Sequence, residues 1–215
     1  RKRVAIFAAG LLALASVTGV VSAKSTAEGN GYSTKDAEFY LSEQLIAFIR
    51  PGLEVTVLDV TIPGDLRPEV TFMITDPAGQ PLDRDGIVTP GPVSTSFILS
   101  YIPQGETAYV AYTTRVQTSP ITGDSAVQAT SDSGGEYTTV EVGTYLYKFG
   151  TELPADYAID ATHTLGIYAR RDLREFDLDR YVDNVLEHFV PSGAFAPVPR
   201  DIVTTETCNG RCHDP

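Results

Sequence analysis

This sequence predicts a mainly β fold: a Greek-key-like β-sandwich or split β-barrel with one N-terminal amphipathic helix. Three observations carry that prediction. Apolar and polar residues alternate with a period of two in several runs between Leu53 and Val190, as in Val70, Phe72 and Ile74. Turn signals rich in Gly, Pro and Asp separate the runs, with Asp76-Pro77-Ala78-Gly79 the plainest. Helical spacing of apolar residues occurs only ahead of Pro51, beyond the leader.

The chain opens on a processing signal. Arg1, Lys2 and Arg3 form a basic start, and Val4 to Val21 is apolar and uncharged. Val21-Ser22-Ala23 offers small residues where a signal peptidase reads, so residues 1–23 are expected to be a signal peptide. Retention as a membrane anchor is the weaker reading, because the run is short and rich in Ala and Gly. No cysteine lies near its end, so a lipoprotein anchor is not expected there.

Residues 24–50 read as an N-terminal arm and helix. Ser33 or Thr34 can cap the helix, and Asp36 and Glu38 suit its first turn, where the dipole favours anions. Phe39, Leu41, Leu45, Ile46, Phe48 and Ile49 give it an apolar face, predicting about three to four turns. Arg50-Pro51-Gly52 ends it.

The β domain is expected over 51–192. Leu53–Ile62 is a β-branched run, followed by Val70–Thr75. Asp83 to Pro92 reads as a loop. Thr95, Phe97, Leu99 and Tyr101 alternate, as do Ala108, Val110, Tyr112 and Thr114. Gln117 to Gly135 reads as a second, polar loop. Tyr145 to Phe149, Leu165 to Ala169 and Val185 to Val190 complete about seven strands, the number of a sandwich or barrel. Phe176 to Tyr181 fits a loop or a helical turn equally. Residues 193–199 form a Pro-rich linker, and 200–215 a separate piece.

Charge excludes some partners. The net charge of −12 becomes −15 once Arg1, Lys2 and Arg3 are removed. Such a chain repels phosphate backbones and anionic lipid, so no nucleic-acid partner is expected. Both cysteines lie at the C-terminus, so the β domain must be held by its core alone.

Cys208-Asn209-Gly210-Arg211-Cys212-His213 is the one dense reactive cluster. Two thiols followed at once by a histidine form the pattern for covalent haem c. Cys208 and Cys212 would add to the porphyrin vinyl groups, and His213 would become an axial ligand of the iron. Three residues separate the cysteines rather than the usual two, and Gly210 suits the extra bulge. A Cys208–Cys212 disulfide and a partial zinc site are the alternatives; zinc would need a fourth ligand that the cluster does not hold.

The order of several segments adds to this motif. They include Phe48-Ile49-Arg50-Pro51-Gly52-Leu53, Thr75-Asp76-Pro77-Ala78-Gly79-Gln80-Pro81-Leu82-Asp83 and Thr89-Pro90-Gly91-Pro92-Val93-Ser94-Thr95-Ser96-Phe97. Tyr109 to Arg115, Gly143 to Phe149, Thr162 to Ile167, His188 to Gly193 and Arg200 to Cys208 continue the series. From about Phe39 to Pro215 the chain resembles the N-terminal region, up to the first haem motif, of the OmcA/MtrC-type outer-surface multihaem (decahaem) c-type cytochromes. The resemblance implies a β-barrel-like domain beside a haem domain that begins near Arg200, with further haem motifs beyond Pro215. It implies an exported electron-transfer protein, in the periplasm or on the outer surface of a Gram-negative bacterium. Its partners would be other redox proteins of an outer-membrane electron-transfer chain and an extracellular electron acceptor. Terminal reductase activity would belong to the full-length protein. The three-residue gap and the missing lipoprotein cysteine depart from the family.

His163, in phase with Leu165 and Ile167, and His188, in phase with Leu186 and Val190, are candidate distal haem ligands; a hydrogen-bonded core histidine is the plainer reading of each. Tyrosines 109, 112, 145, 147 and 168 suit core-edge packing with hydroxyls in water. Asp83, Asp85 and the acids near Asp177 do not match a calcium-loop spacing. No Gly-x-Ser-x-Gly, phosphate loop or His-Glu-x-x-His occurs, which leaves a secreted hydrolase without a motif. The rival function is an exported β-sandwich module binding sugar or protein, with Cys208 and Cys212 as a disulfide.

Overall fold

The computed structural model describes residues 31–200. The predicted leader and the cluster Cys208, Cys212 and His213 lie outside the described residues.

The chain forms a 3₁₀ turn (Ala37–Tyr40), helix α1 (Glu43–Ile49), and strands β1 (Glu54–Thr61), β2 (Glu69–Thr75), β3 (Val93–Tyr101), β4 (Val110–Ala111) and β5 (Thr114–Thr118). Strands β6 (Ser125–Ala129), β7 (Glu136–Glu141), β8 (Thr144–Lys148), β9 (His163–Asp172) and β10 (Arg180–Phe189) follow. One antiparallel sheet has the order β1-β2-β8-β7 and the other β10-β9-β3-β4, with β5 and β6 forming a separate hairpin. The expected β-sandwich class is what folds.

The two sheets close on a core that the alternating pattern supplies. Val70, Phe72 and Ile74 of β2 face Phe97 and Leu99 of β3 and Leu165 and Ile167 of β9. Phe97 stacks on Tyr147 with ring centroids 4.2 Å apart and meets Phe72 edge-on at 5.4 Å. Each such buried ring or branched chain contributes about 1.5–3 kcal/mol of transfer free energy. At one side the sheets meet along β1 and β10, where the Val55 amide donates to the Asp183 carboxylate at 2.7 Å. That seam gives the sandwich a split-barrel character.

Four expectations need correction. The single long helix is two short pieces. Ser42 breaks it by accepting the Leu45 amide in its side chain, which caps α1 anew while Leu41 is extended. Gln117 to Gly135 holds most of a hairpin rather than only a loop: Val116 faces Val127, and Ser119 organises the turn through its hydroxyl. Glu136–Glu141 is a further strand at a sheet edge. The run from Ala108 to Thr114 is not one strand but β4 and the start of β5. All ten residues of strands β5 and β6 are exposed, so no buried face imposes the alternation that marks a core strand. Phe176 to Tyr181 resolves into the end of a 3₁₀ turn (Arg174–Phe176) and the start of β10.

Helix α1 ends at Arg50 in the left-handed region and is tied to the β domain. Ile49 packs with Leu173 and Leu178. The guanidinium of Arg171, wholly buried, donates to the carbonyls of Ile49, Arg50, Gly52 and Pro90. These bonds satisfy helix-terminal carbonyls that the chain itself leaves open. The phenol of Tyr181 donates to Glu38 and fastens the 3₁₀ turn as well.

Candidate functional site

Strand β9 carries two different faces. His163, Leu165, Ile167, Ala169 and Arg171 point inward and are buried, so the apolar centre is bracketed by one polar residue at each end. Thr164, Gly166 and Tyr168 point outward.

His163 lies where its phase predicts, inside the sandwich. Its Nε2 is 2.7 Å from the Tyr112 hydroxyl and its Nδ1 is 3.0 Å from the Ala161 carbonyl. A carbonyl can only accept, so Nδ1 carries the proton and Nε2 accepts from Tyr112. Burial pushes the imidazole pKa below its ordinary value, against the smaller opposing pull of the Ala161 carbonyl. Tyr101 stacks on Tyr112 at 5.0 Å, completing an aromatic cluster in which both ring nitrogens of His163 are engaged.

His188 lies elsewhere. It shares the phase of Leu186, as the sequence indicates, but that phase faces out of the sheet. Register places Ser100, Thr164 and His188 in one row across β3, β9 and β10, and Ile98, Gly166 and Leu186 in the next. Gly166 stands at the middle of the second row and contributes no side chain. Ile98, Ser100, Thr164, Leu186 and His188 of these rows floor a groove of about 650 Å³. Val110 and Ala111 of β4 and Thr114, Val127 and Ala129 of the hairpin wall it. Thr164 Oγ1 bonds His188 Nδ1 at 2.9 Å, which orients the ring and leaves its other nitrogen as the one able to bind.

The segment after β10 runs to this groove. The Val198 amide donates to Thr162 Oγ1 at 2.9 Å. The Arg200 amide donates to the Tyr109 hydroxyl at 3.0 Å, and its guanidinium to the Thr107 carbonyl at 2.7 Å. The expected Pro-rich linker therefore lies against the β domain, and Arg200 itself lines the groove.

The remaining singled-out residues have structural partners. Asp83 accepts amides of Asp85, Ile87 and Val88, so its carboxylate organises its own loop. The hydroxyls of Tyr112, Tyr145 and Tyr147 are bonded inside, to His163, to the Arg84 amide and to Asp132, rather than sitting in water. Tyr109 accepts from Arg200, and Tyr168 is exposed. Sequence reasoning passed over Arg171 and Asp132. Asp132 accepts from Tyr147, from the Gly150 amide and from both the amide and hydroxyl of Thr151. Burial would raise its pKa, but these donors together hold it below the ordinary carboxylate value. Its one sequence signal was a lone acid in a Ser- and Gly-rich stretch.

Among the described residues no group of three or more His, Cys, Asp or Glu is placed to hold a metal ion, and no helix is long and apolar enough to cross a membrane. Most of the groove's lining surface is apolar, and His188 is the one histidine among its lining residues.

Two solved structures resemble this architecture. The outer membrane decahaem cytochrome OmcA aligns with a TM-score of 0.53 and 16% identity, over 73% of this chain and 26% of its own. MtrC from Shewanella baltica OS185 aligns with a TM-score of 0.49 and 22% identity, over 74% of this chain and 25% of its own. The chain thus corresponds to about a quarter of the length of each. At such identity the OmcA match is a likeness of fold. No family model and no curated protein sequence matches the chain.

Proposed function

We propose that this chain is the β-rich leading part of an exported, multihaem c-type electron-transfer protein. In this reading residues 1–23 are a signal peptide, 24–50 an arm and helix, 51–192 the β domain, 193–199 a linker and 200–215 the start of a haem domain. One observation carries the reading. A Cys-x₃-Cys-His cluster follows, eight residues past Arg200, a β domain of the fold found in part of an outer membrane decahaem cytochrome.

The chain's own residues would divide the work. The Cys208 and Cys212 thiols would form thioether bonds to the two vinyl groups of haem. His213 would supply one axial nitrogen. His188 is the better placed of the two candidate distal histidines, because His163 has both nitrogens bonded in the core. Haem c would supply a one-electron iron couple, and two imidazoles would favour electron transfer over ligand chemistry. The β domain would hold the haem segment and keep water from it. Partners would be other redox proteins of an outer-membrane chain and an extracellular acceptor.

The test is maturation of the chain in a host with the haem c attachment machinery. The expected product is red, shows a c-type absorption spectrum and gains the mass of one haem. A colourless product two protons lighter would mean a Cys208–Cys212 disulfide, and would move the chain to the sugar- or protein-binding reading.

A further inference from the structure

Among the described residues, Tyr147, Tyr181 and Tyr112 hydrogen-bond their phenols to an acidic or basic side chain, namely Asp132, Glu38 and His163. The partners differ in how well they take a proton. A carboxylate is a weaker base than an imidazole by about two pKa units. Asp132 is further committed to the amides of Gly150 and Thr151 and to the Thr151 hydroxyl. His163 is not so encumbered. Its Nδ1–H is turned to the Ala161 carbonyl, so the lone pair of Nε2 faces the Tyr112 hydroxyl at 2.7 Å. Burial lowers the imidazole pKa and raises that of the Tyr112 phenol, so both groups are neutral at pH 7 and the proton rests on oxygen.

We propose that Tyr112 and His163 form a one-electron redox site that accepts oxidising equivalents from a strong outer-sphere oxidant, such as an oxygen-derived radical. The oxidant takes one electron from the Tyr112 ring and is itself reduced. A phenol that has lost an electron is a strong acid, and its proton crosses the one hydrogen bond to Nε2. The products are a neutral tyrosyl radical and an imidazolium whose two N–H groups face Tyr112 and Ala161. A one-electron donor such as a thiol resets the site: the electron returns to Tyr112 and the proton goes back from Nε2 to oxygen.

The surroundings suit this chemistry. His163 is wholly buried, so water does not compete for its lone pair. Tyr112 is only half-buried, which lets an oxidant at the surface reach the ring edge without entering the core. Its amide donates to the Leu99 carbonyl at 3.0 Å, which holds the phenol against β3. Tyr101 stacks on Tyr112 at 5.0 Å and on His163 at 5.7 Å, a second electron-rich ring beside the first. Packing alone does not call for the pair, because two apolar groups of the same shape would be nearly as stable. What the polar pair adds is a proton path one bond long. The inference is independent of the haem reading.

The experiment uses the full chain with Cys208→Ala/Cys212→Ala in every sample, so that neither thiol nor haem competes. A flash-generated ruthenium(III) tris-bipyridine complex is the oxidant, and freeze-quenched electron paramagnetic resonance detects the tyrosyl radical. The expected result is a radical signal that Tyr112→Phe removes, above a background from exposed tyrosines such as Tyr40. Tyr147→Phe should leave the signal in place. His163→Gln keeps a hydrogen-bond acceptor but no base, and should slow radical formation about a hundredfold. In deuterated water the native rate should fall by about twofold or more, because a proton moves with the electron. The deuterium effect is read on the unsubstituted pair, so it does not depend on how well a variant folds. A signal of native size in Tyr112→Phe overturns the proposal, as does one lost in Tyr147→Phe instead. A rate unchanged in both His163→Gln and deuterated water overturns the role of His163 as proton acceptor, and the site with it.

Discussion

The Arg171 guanidinium meets the Ile49 carbonyl at 2.6 Å in the interior, joining the last turn of α1 to the inward face of β9. Its other bonds go to the carbonyls of Arg50, Gly52 and Pro90, and no carboxylate is among its hydrogen-bond partners. Burial, and then the charge of Arg50, draws its pKa down to about 10, which leaves it cationic at neutral pH. A planar fork with five donors suits this cluster of acceptors.

Replacing Arg171 with Met should cost about 3–5 kcal/mol, since the carbonyls lose donors inside a closed packing. Arg171→Lys should recover less than half of that, because one ammonium cannot reach carbonyls on two sides. Urea unfolding measures both. A Lys variant as stable as the native chain would contradict the role of the fork.

Asp132→Asn should destabilise the fold by about 2–3 kcal/mol, because an amide offers one acceptor oxygen where a carboxylate offers two. The native carboxylate's pKa is depressed by its donors. Its contribution is therefore full above the unfolded value near 3.8 and fades as pH falls through the lower, folded value. Unfolding curves at neutral pH and near pH 3 should show the difference between native and variant shrinking in acid.

His163 gives a separate acid signature. Its folded pKa lies below the ordinary 6.5, so the unfolded chain takes up a proton first as pH falls. Stability should hold above about pH 6.5 and decline from there toward pH 5. His163→Gln, which cannot titrate, should be less stable at pH 7 but flat across that window. Denaturant midpoints every half unit of pH would show it, and an unchanged slope in the variant would rule His163 out as the source.

In a haem-bearing chain, His188→Ala should convert a six-coordinate low-spin iron to a high-spin or water-ligated form, read by absorption and electron paramagnetic resonance. His163→Ala should leave the low-spin spectrum in place, since that ring is committed to Tyr112 and Ala161. The opposite pattern would exchange the roles of the two histidines.

Strands that feed the core could be read from the sequence; those that do not could not. Val70, Phe72 and Ile74, and likewise Leu165, Ile167 and Ala169, announce β2 and β9 because one face of each must be dry. The hairpin at Val116 and Val127 and the edge strand at Glu136 have no such face, and propensity alone does not separate them from loop. The helix broke at Ser42 because a local cap outcompeted a long-range apolar pattern. For the site, alternation set His188 with Leu186 but not which way the pair points. That depends on register with Thr164 and Gly166, some twenty residues away. Arg171 reads as one more surface cation until the carbonyls of another segment are brought around it.

The seam at Val55 and Asp183 bears on how the domain behaves in a crowd. Strand edges with free amides invite pairing with strands of other molecules. Here β1 and β10 lie against one another, joined at Val55 and Asp183 by a carboxylate rather than by a ladder. Away from that seam the longest sheet edge is β7, and Glu136 and Glu141 put a negative charge at each end of it. Two copies approaching edge to edge along β7 would therefore meet like charges before they met hydrogen bonds, which disfavours polymerisation along that edge.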